Sequence, residues 1–391
     1  MPTKNVFIFV ADALREDYIP TKICETGEKI QTIAASTNTP SSFSSIVSGL
    51  YPTQHGTYSF SHRLNPAYNF LNQISDEYDT RFYQYGTTAA IADVLGVDFS
   101  ETNPLNDVEP PFAVLERELN THAPYNQFHD EDGEYDQIGD YLENGVIDFD
   151  LVRREYQSGC ERVERRFLER LDQLKSRGLL EETLVIFTSD HGELLGEYGE
   201  YSHGDPVVPE LIRVPTVIKH PEDRPLATDL MSHVDILPTI EECLNIDVTW
   251  NHAGESVYSP SNPHKISEFV SKPHTLDEFS LQDYYEYKVR SVWDESGSRH
   301  FNLTTVRGRF IHAIRQVPLF NPLRGRDALR SFEALYHQLA TERVIGNPEF
   351  SKADAEEVLQ KIDEMDIRLS SSREGVSDST KEHLERLGYM N

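Results

Sequence analysis

Residues 183–204 read TLVIFTSDHGELLGEYGEYSHG. The run Leu184–Phe187 is apolar without alternation, which predicts a strand buried on both faces, as in a parallel sheet with helices on each side. It ends in Asp190-His191-Gly192. A second run of the same kind, Asn5–Ala11 (NVFIFVA), ends in Asp12. Each strand therefore delivers an acid to its C-terminal tip, the edge of an open α/β sheet where ligands and reacting groups collect. Two acids and an imidazole carried there by separate strands are the raw material of a metal site, and metal sites of this kind support hydrolysis.

Between these strands the pattern predicts alternating elements. A Ser/Thr-rich loop, Thr37-Asn38-Thr39-Pro40-Ser41-Ser42, runs into a helix that starts near Pro40 and stops by Gly49. Two short elements fall within 79–99, and a strand within 111–120 leads into Thr121-His122-Ala123-Pro124-Tyr125. Residues 129–150 are acidic and lack apolar periodicity, which predicts a surface loop. Val152, Tyr156, Cys160, Val163, Phe167, Leu171 and Leu174 recur at helical spacing over 150–177, and Gly178 marks the stop. A strand over 214–218 and a helix over 233–244 follow. Beyond residue 260 the pattern predicts a hairpin within 291–314, amphipathic helices over 326–343 and 353–369, and a last short helix, KEHLERLGYM. The expected organisation is a catalytic domain over 1–260 and a C-terminal subdomain with hairpin and helices over 261–391.

The 391 residues carry a net charge of −30, and lysine supplies 11 of the 36 basic residues. Acid excess with scarce lysine fits the surface of a protein from a high-salt cytosol, where self-repulsion is screened; the alternative is an ordinary acidic enzyme. It argues against nonspecific nucleic-acid binding and against attraction to anionic membranes. Cys24, Cys160 and Cys243 form no CxxC pair, so neither a disulfide framework nor a thiolate metal site is indicated. No run approaches a membrane span, and the chain opens almost directly on a strand, so a soluble cytoplasmic protein is expected.

Asp12 alone reads equally well as a helix N-cap. Its force comes from the second strand tip, where adjacent Asp190 and His191 can approach one cation and Gly192 lets the backbone pass closely. The helix start at Thr39 offers a partial positive charge and N–H groups for an anion. A hydroxyl there, beside a cation, is a candidate nucleophile, although a simple capping role is the commoner use of such residues.

The set VADALRED, TPSSFSSIVSGLYPTQHG, THAPY, TSDHGELLGEYG, SHG, IRVPTVI and HVDILPTI resembles the sulfatase branch of the alkaline phosphatase superfamily, in family order over roughly the first 245 residues. The resemblance implies an α/β fold with a central mixed sheet flanked by helices and a smaller C-terminal α+β subdomain. It implies a metal-dependent hydrolase of sulfate or phosphate esters. Asp12, Asp190 and His191 match family metal ligands, and Thr39, ten residues before Gly49, matches the nucleophile position and would also touch the metal. His122 and His203 match positions that bind substrate or protonate the leaving group. The implied cofactor is one divalent ion, Ca²⁺, Mg²⁺ or Mn²⁺ in preference to Zn²⁺. Glu118, His122, His203 and His233 are the residues available for a second one.

This chain departs from the family pattern. No cysteine is followed by x-P-x-R, the motif converted to formylglycine, and Phe43 stands where its arginine would be. Ala13 replaces a frequent second aspartate. Thr39 instead resembles the threonine nucleophile of phosphodiesterase relatives, which favours phosphorus over sulfur. The substrate expected is a small-molecule ester. The alternatives are a group transferase or mutase of the same superfamily, and a catalytically lapsed relative that binds an anion.

Overall fold

The computed structural model describes residues 3–84, 90–123, 125, 149–204, 207–271, 286–315, 332–365 and 367. Eight strands form the large sheet: β1 (Asn5–Ala11), β2 (Glu28–Ile33), β3 (Asp79–Gln84), β4 (Phe99–Ser100), β5 (Phe112–Glu118), β6 (Thr183–Thr188), β9 (Arg213–Lys219) and β10 (Leu230–Ser232). Between β6 and β9 lies a small ribbon of β7 (Leu194–Leu195) and β8 (Tyr201–Ser202). The sheet order is β10-β2-β9-β6-β1-β5-β3-β4. Every neighbouring pair is parallel except those made by β9, which runs against both β2 and β6. The sheet is therefore mixed, and the C-terminal ends of β1, β2, β5, β6 and β10 all reach one edge.

The apolar run of β1 is unbroken because both its faces are covered. Val6, Ile8 and Val10 pack with Phe43, Ile46 and Val47 of the helix Thr39–Ser48 and with Ile236, Leu237 and Ile240 of the helix Ile236–Leu244. Phe7 and Phe9 face the other way, onto Tyr156, Cys160, Val163 and Phe167 of the helix Phe149–Ser176. The Phe9 and Phe187 rings stack at 5.6 Å, and Phe167 meets both. The helix at Thr39 ends as its sequence predicts, with Gly49 at φ +65° accepting the left-handed conformation that closes it.

A second, antiparallel sheet orders β11 (Lys265–Ser271), β12 (Tyr287–Trp293), β13 (Gly297–Asn302) and β14 (Glu342–Gly346). Here the structure corrects two expectations. The hairpin ends at Asn302, and Val306–Arg315 is a helix, because its apolar residues recur every four positions and not every two. The helix expected over 326–343 is confined to Phe332–Leu339 among the described residues, and Glu342 and Arg343 lie in the strand β14. Lys352–Asp363 is helical, with Ser351 accepting from the Asp354 N–H as its cap. Of the loop expected over 129–150, residues 129–148 lie outside the described residues and Phe149 and Asp150 belong to the helix Phe149–Ser176; the last short helix also lies outside the described residues. No described helix is long and apolar enough to cross a membrane.

One buried histidine gives the fold a definite acid limit. His55 is 2% exposed; its Nδ1 accepts from the Thr57 N–H at 3.0 Å, so Nε2 donates to Ser45 Oγ at 3.2 Å. Burial pushes its pKa down to about 3 from the ordinary 6.5. A neutral histidine in the folded state must bind a proton on unfolding once the pH drops below 6.5. Its contribution is therefore complete above that value and is lost as pH falls from 6.5 toward 3. At pH 5 the loss is expected to be about 2 kcal/mol from this group alone. Urea midpoints at pH 7 and pH 5 check it: His55→Gln should flatten the difference, and an unchanged slope would contradict the assignment.

Candidate active site

The tips of β1 and β6 meet as the sequence predicts. Asp12, Asp190 and His191 are each fully buried, and one ligand atom from each lies within 4.8 Å of the others. Their backbones are fixed from both sides. The Ala13 and His191 N–H groups both donate to Asp190 Oδ1 at 3.0 Å, and Leu14 N–H donates to Ser189 Oγ at 2.9 Å. Thr121 Oγ1 donates to the Asp12 carbonyl at 2.6 Å, which ties the end of β5 to the end of β1. Asp12 caps no helix; the next helical turn starts at Glu16. Ala13 holds φ +62°, a left-handed conformation that costs a non-glycine residue about 1 kcal/mol and turns the chain sharply after the acid. Gly192 meets the expectation made of it, because a Cβ there would lie 1.9 Å from the Glu210 carbonyl oxygen.

The donor set has the chemistry of a cation site. Asp12 Oδ1 and Asp190 Oδ2 are buried without a hydrogen-bond partner. Buried carboxylate oxygens are costly in that state, and a divalent ion is the group that would satisfy them. His191 Nδ1 donates to the Gly192 carbonyl at 2.9 Å, which leaves Nε2 as the acceptor facing Asp190 Oδ2 at 3.4 Å and Asp12 Oδ1 at 3.9 Å. Thr39 Oγ1 lies 3.1 Å from the same Nε2. The neighbouring hydroxyls are turned elsewhere: Ser41 Oγ donates to the Thr57 carbonyl at 2.9 Å and Ser42 Oγ to the Ser36 carbonyl at 3.1 Å.

The helix N-terminus differs from expectation. Asn38 is the cap: its side chain takes the Ser41 N–H and its carbonyl takes the Ser42 N–H, each at 3.1 Å. Pro40 has no N–H to give. The Ser41 and Ser42 amides are thus committed to capping.

His122 and His203 come to the site together. The His203 ring lies 4.1 Å from that of His191 and 5.0 Å from that of His122. His122 is anchored by Nδ1 on the Ala123 carbonyl at 2.7 Å, and burial lowers its pKa to about 4, so it is neutral at pH 7. His203 Nδ1 is 3.4 Å from Glu193, and Thr37 Oγ1 bonds the Gly204 carbonyl, which clasps the His203 loop to the Thr39 loop. His233 is not turned to the site. Its Nδ1 accepts from Ala35 N–H at 3.2 Å and its Nε2 donates to the Ser189 carbonyl at 2.8 Å, so it joins the ends of β2 and β6 as a structural cross-link. Glu118 is held by Arg166 at 2.7 Å and by Asn120.

Two residues escaped the sequence reading. Arg117 is fully buried on β5 and grips Asp12 Oδ2 through Nε at 2.7 Å and through Nη2. Its guanidinium lies 5.8 Å from the ring of Phe43, so a cation borne by strand β5 stands beside the helix position that the phenylalanine leaves without charge. Glu193 is fully buried beside His203. Burial, then Asp12 and Asp190, push its carboxyl well above the ordinary range. The same two causes, burial and then Asp12, raise Asp190 to about 6, whereas for Asp12 burial is outweighed, above all by the Arg117 guanidinium, and its carboxyl is held below its usual value.

Comparison with known proteins agrees with this architecture. The Sulfatase family model matches residues 106–246. The chain is 31% identical to the low-salt glycan biosynthesis sulfotransferase Agl7 of Haloferax volcanii, over 99% of this chain and 96% of that protein. It is 27% identical to arylsulfatase K of Xenopus laevis over 43% of this chain and 34% of that protein. The phosphonate monoester hydrolase of Agrobacterium radiobacter shares the fold with TM-score 0.59 at 16% identity, over 76% of this chain and 87% of that one. A 2-O GAG sulfatase does so with TM-score 0.58 at 17% identity, over 77% and 83%. With its mixed sheet, its two acid-bearing strand tips and this match along 99% of the chain, the protein belongs to the sulfatase family of ester hydrolases.

Proposed function

We propose that this protein cleaves sulfate or phosphate esters with Thr39 as nucleophile, beside one divalent cation held by Asp12, Asp190, His191 and the Thr39 hydroxyl. The observation that carries this reading is the position of Thr39 Oγ1, 3.1 Å from His191 Nε2 and in the company of two buried carboxylate oxygens that lack partners. A divalent ion held there would favour the ionised hydroxyl and offset the charge of the ester oxyanion. The mostly oxygen donor set favours Ca²⁺, Mg²⁺ or Mn²⁺ over Zn²⁺.

The chain's own groups divide the work. Thr39 Oγ attacks the central atom of the ester, and the bond to the alcohol oxygen breaks opposite it. His203, oriented by Glu193, protonates the departing oxygen. Neutral His122 keeps its one ring proton on Nδ1, donated to the Ala123 carbonyl, so its Nε2 serves the site as an acceptor, suited to take the proton of an incoming acceptor hydroxyl. The product on the enzyme is a threonine ester. A formylglycine hydrate can expel sulfate by collapsing to an aldehyde, but a threonine cannot, so release requires an acceptor hydroxyl to attack the sulfur or phosphorus.

That requirement opens a second reading, in which the acceptor is an alcohol and not water. The relative that spans the whole chain carries a sulfotransferase name, which supports it and also weights the choice toward sulfur. The catalytic unit in either case is residues 1–260, and the net charge of −30 supports a high-salt cytosolic setting. One assay separates the readings. Aryl sulfate and aryl phosphate are supplied with a series of divalent cations, with and without glycerol as acceptor. Cation-dependent release of the aryl alcohol supports the proposal. Glyceryl ester among the products supports transfer, and free anion alone supports hydrolysis. A rate indifferent to chelation, or no covalent use of Thr39, would reject the mechanism.

A further inference from the structure

The chain leaves Asp12 through a turn that an alanine holds at a cost. Ala13 is fully buried and has φ +62°. A residue with a Cβ disfavours that conformation, so the surrounding structure must oppose its return to negative φ. The turn serves both acids of the proposed cation site. Asp12 directly precedes Ala13, and the Ala13 N–H donates to Asp190 Oδ1 at 3.0 Å. A relaxed turn would therefore shift one carboxylate and release the other.

The opposing group comes from an element distant in sequence. Tyr156 is fully buried on the helix Phe149–Ser176. Its hydroxyl donates to the Ala13 carbonyl at 2.7 Å and accepts from the Arg15 N–H at 2.9 Å. One oxygen thus bridges the turn and satisfies two buried main-chain groups, each of which would be costly to leave unpaired. Burial pushes the Tyr156 pKa well above the ordinary 10, so the hydroxyl keeps the proton it donates. The ring itself is fixed by Tyr18 and Tyr125, which meet it edge-on at 5.0 and 5.4 Å. Phenylalanine would fill the same space, so packing alone does not call for the hydroxyl.

We infer that Tyr156 is a positioning residue for the divalent cation. Its hydroxyl holds the Ala13 turn in the strained conformation that presents Asp12 and secures Asp190. The inference rests on the cation reading proposed above, and its test reads binding and not turnover.

Mn²⁺ is titrated by calorimetry into the full chain after chelation and desalting. Tyr156→Phe keeps the ring and should bind Mn²⁺ about tenfold to a hundredfold more weakly, the usual effect of removing a group that orients metal ligands. Ala13→Gly identifies the cause. Glycine adopts positive φ without penalty, so a glycine turn no longer depends on the hydroxyl. Adding Ala13→Gly to Tyr156→Phe should recover affinity by about fivefold, whereas a general loosening of the fold would be made worse by an added glycine. Equal binding by wild type and Tyr156→Phe overturns the inference and leaves the cation reading standing. A double variant that binds no better than Tyr156→Phe also overturns it. Absence of Mn²⁺ binding by wild type ends the cation reading, and this inference with it. If Tyr156→Phe does not melt cooperatively, wild type alone decides. Saturating Mn²⁺ should then slow hydrogen exchange of the Arg15 amide at least about tenfold more than that of Val292 in the second sheet, and equal slowing overturns the inference.

Discussion

Replacing Thr39 by alanine is expected to remove turnover by roughly 10³-fold or more, the loss seen when an attacking group is deleted and only binding and electrostatic stabilisation remain. The fold should survive. Thr39 does not cap its helix; Asn38 does, and Asn38 is untouched. The deleted hydroxyl makes one buried contact, to His191 Nε2 at 3.1 Å, so the stability cost is about 1 kcal/mol. Thr39→Ser keeps an oxygen at the same place and should retain activity to within about tenfold, since only a methyl contact is lost. Rapid quench followed by peptide mass measurement reads the mechanism directly. In wild type the peptide containing Thr39 should gain one sulfuryl or phosphoryl group, and in Thr39→Ala that gain should vanish. Near-normal turnover by Thr39→Ala would hand the role to another group; Ser41 and Ser42 are poor successors, because both hydroxyls already donate to backbone carbonyls.

The central strands were legible because burial on both faces writes itself as unbroken apolar runs. Asn5–Ala11 and Thr183–Thr188 are such runs, and the acids after them mark the working edge. The helices at Thr39 and Phe149 were legible through their capping glycine and their period. His122 and His203 were legible only through motif resemblance, since nothing in their local spacing distinguishes them from loop histidines. Arg117 was not legible at all. β5 ends Glu116-Arg117-Glu118, which reads as a strand running out into solvent, yet all three are fully buried and ion-paired, with Arg170, Asp12 and Arg166 respectively. Charge burial of this kind depends on partners brought from elements distant in sequence, and pattern reading treats each charge as alone. The helix Val306–Arg315 was misread for a different reason: its four-residue apolar period was present, but the alternation of the strands before it was carried on past Asn302.

Removing Arg117 is expected to produce the largest loss of stability of any single substitution at the site. Its guanidinium is fully buried, holds Asp12 Oδ2 at 2.7 Å through Nε, and donates to Gln84 Oε1 at 3.1 Å. Arg117→Met keeps an elongated apolar stem but leaves the Asp12 carboxylate buried beside Asp190 and Glu193 with no fixed cation. Breaking one side of a buried ion pair costs about 3–5 kcal/mol, most of it the penalty of the stranded charge. That cause makes a distinctive prediction. With a chelator present, Arg117→Met should unfold at markedly lower urea than wild type. A saturating divalent cation should then stabilise the variant more than it stabilises wild type, because in the variant the cation neutralises a charge that Arg117 no longer does. Urea midpoints for both proteins, with chelator and with cation, measure the four corners of this cycle. Equal cation-induced shifts in the two proteins would show that Arg117 and the cation act on Asp12 independently. No loss of stability in the chelated variant would show that the Asp12 charge is not stranded there. A larger shift in the variant would establish that the strand-borne arginine and the cation divide a single buried carboxylate, one oxygen each.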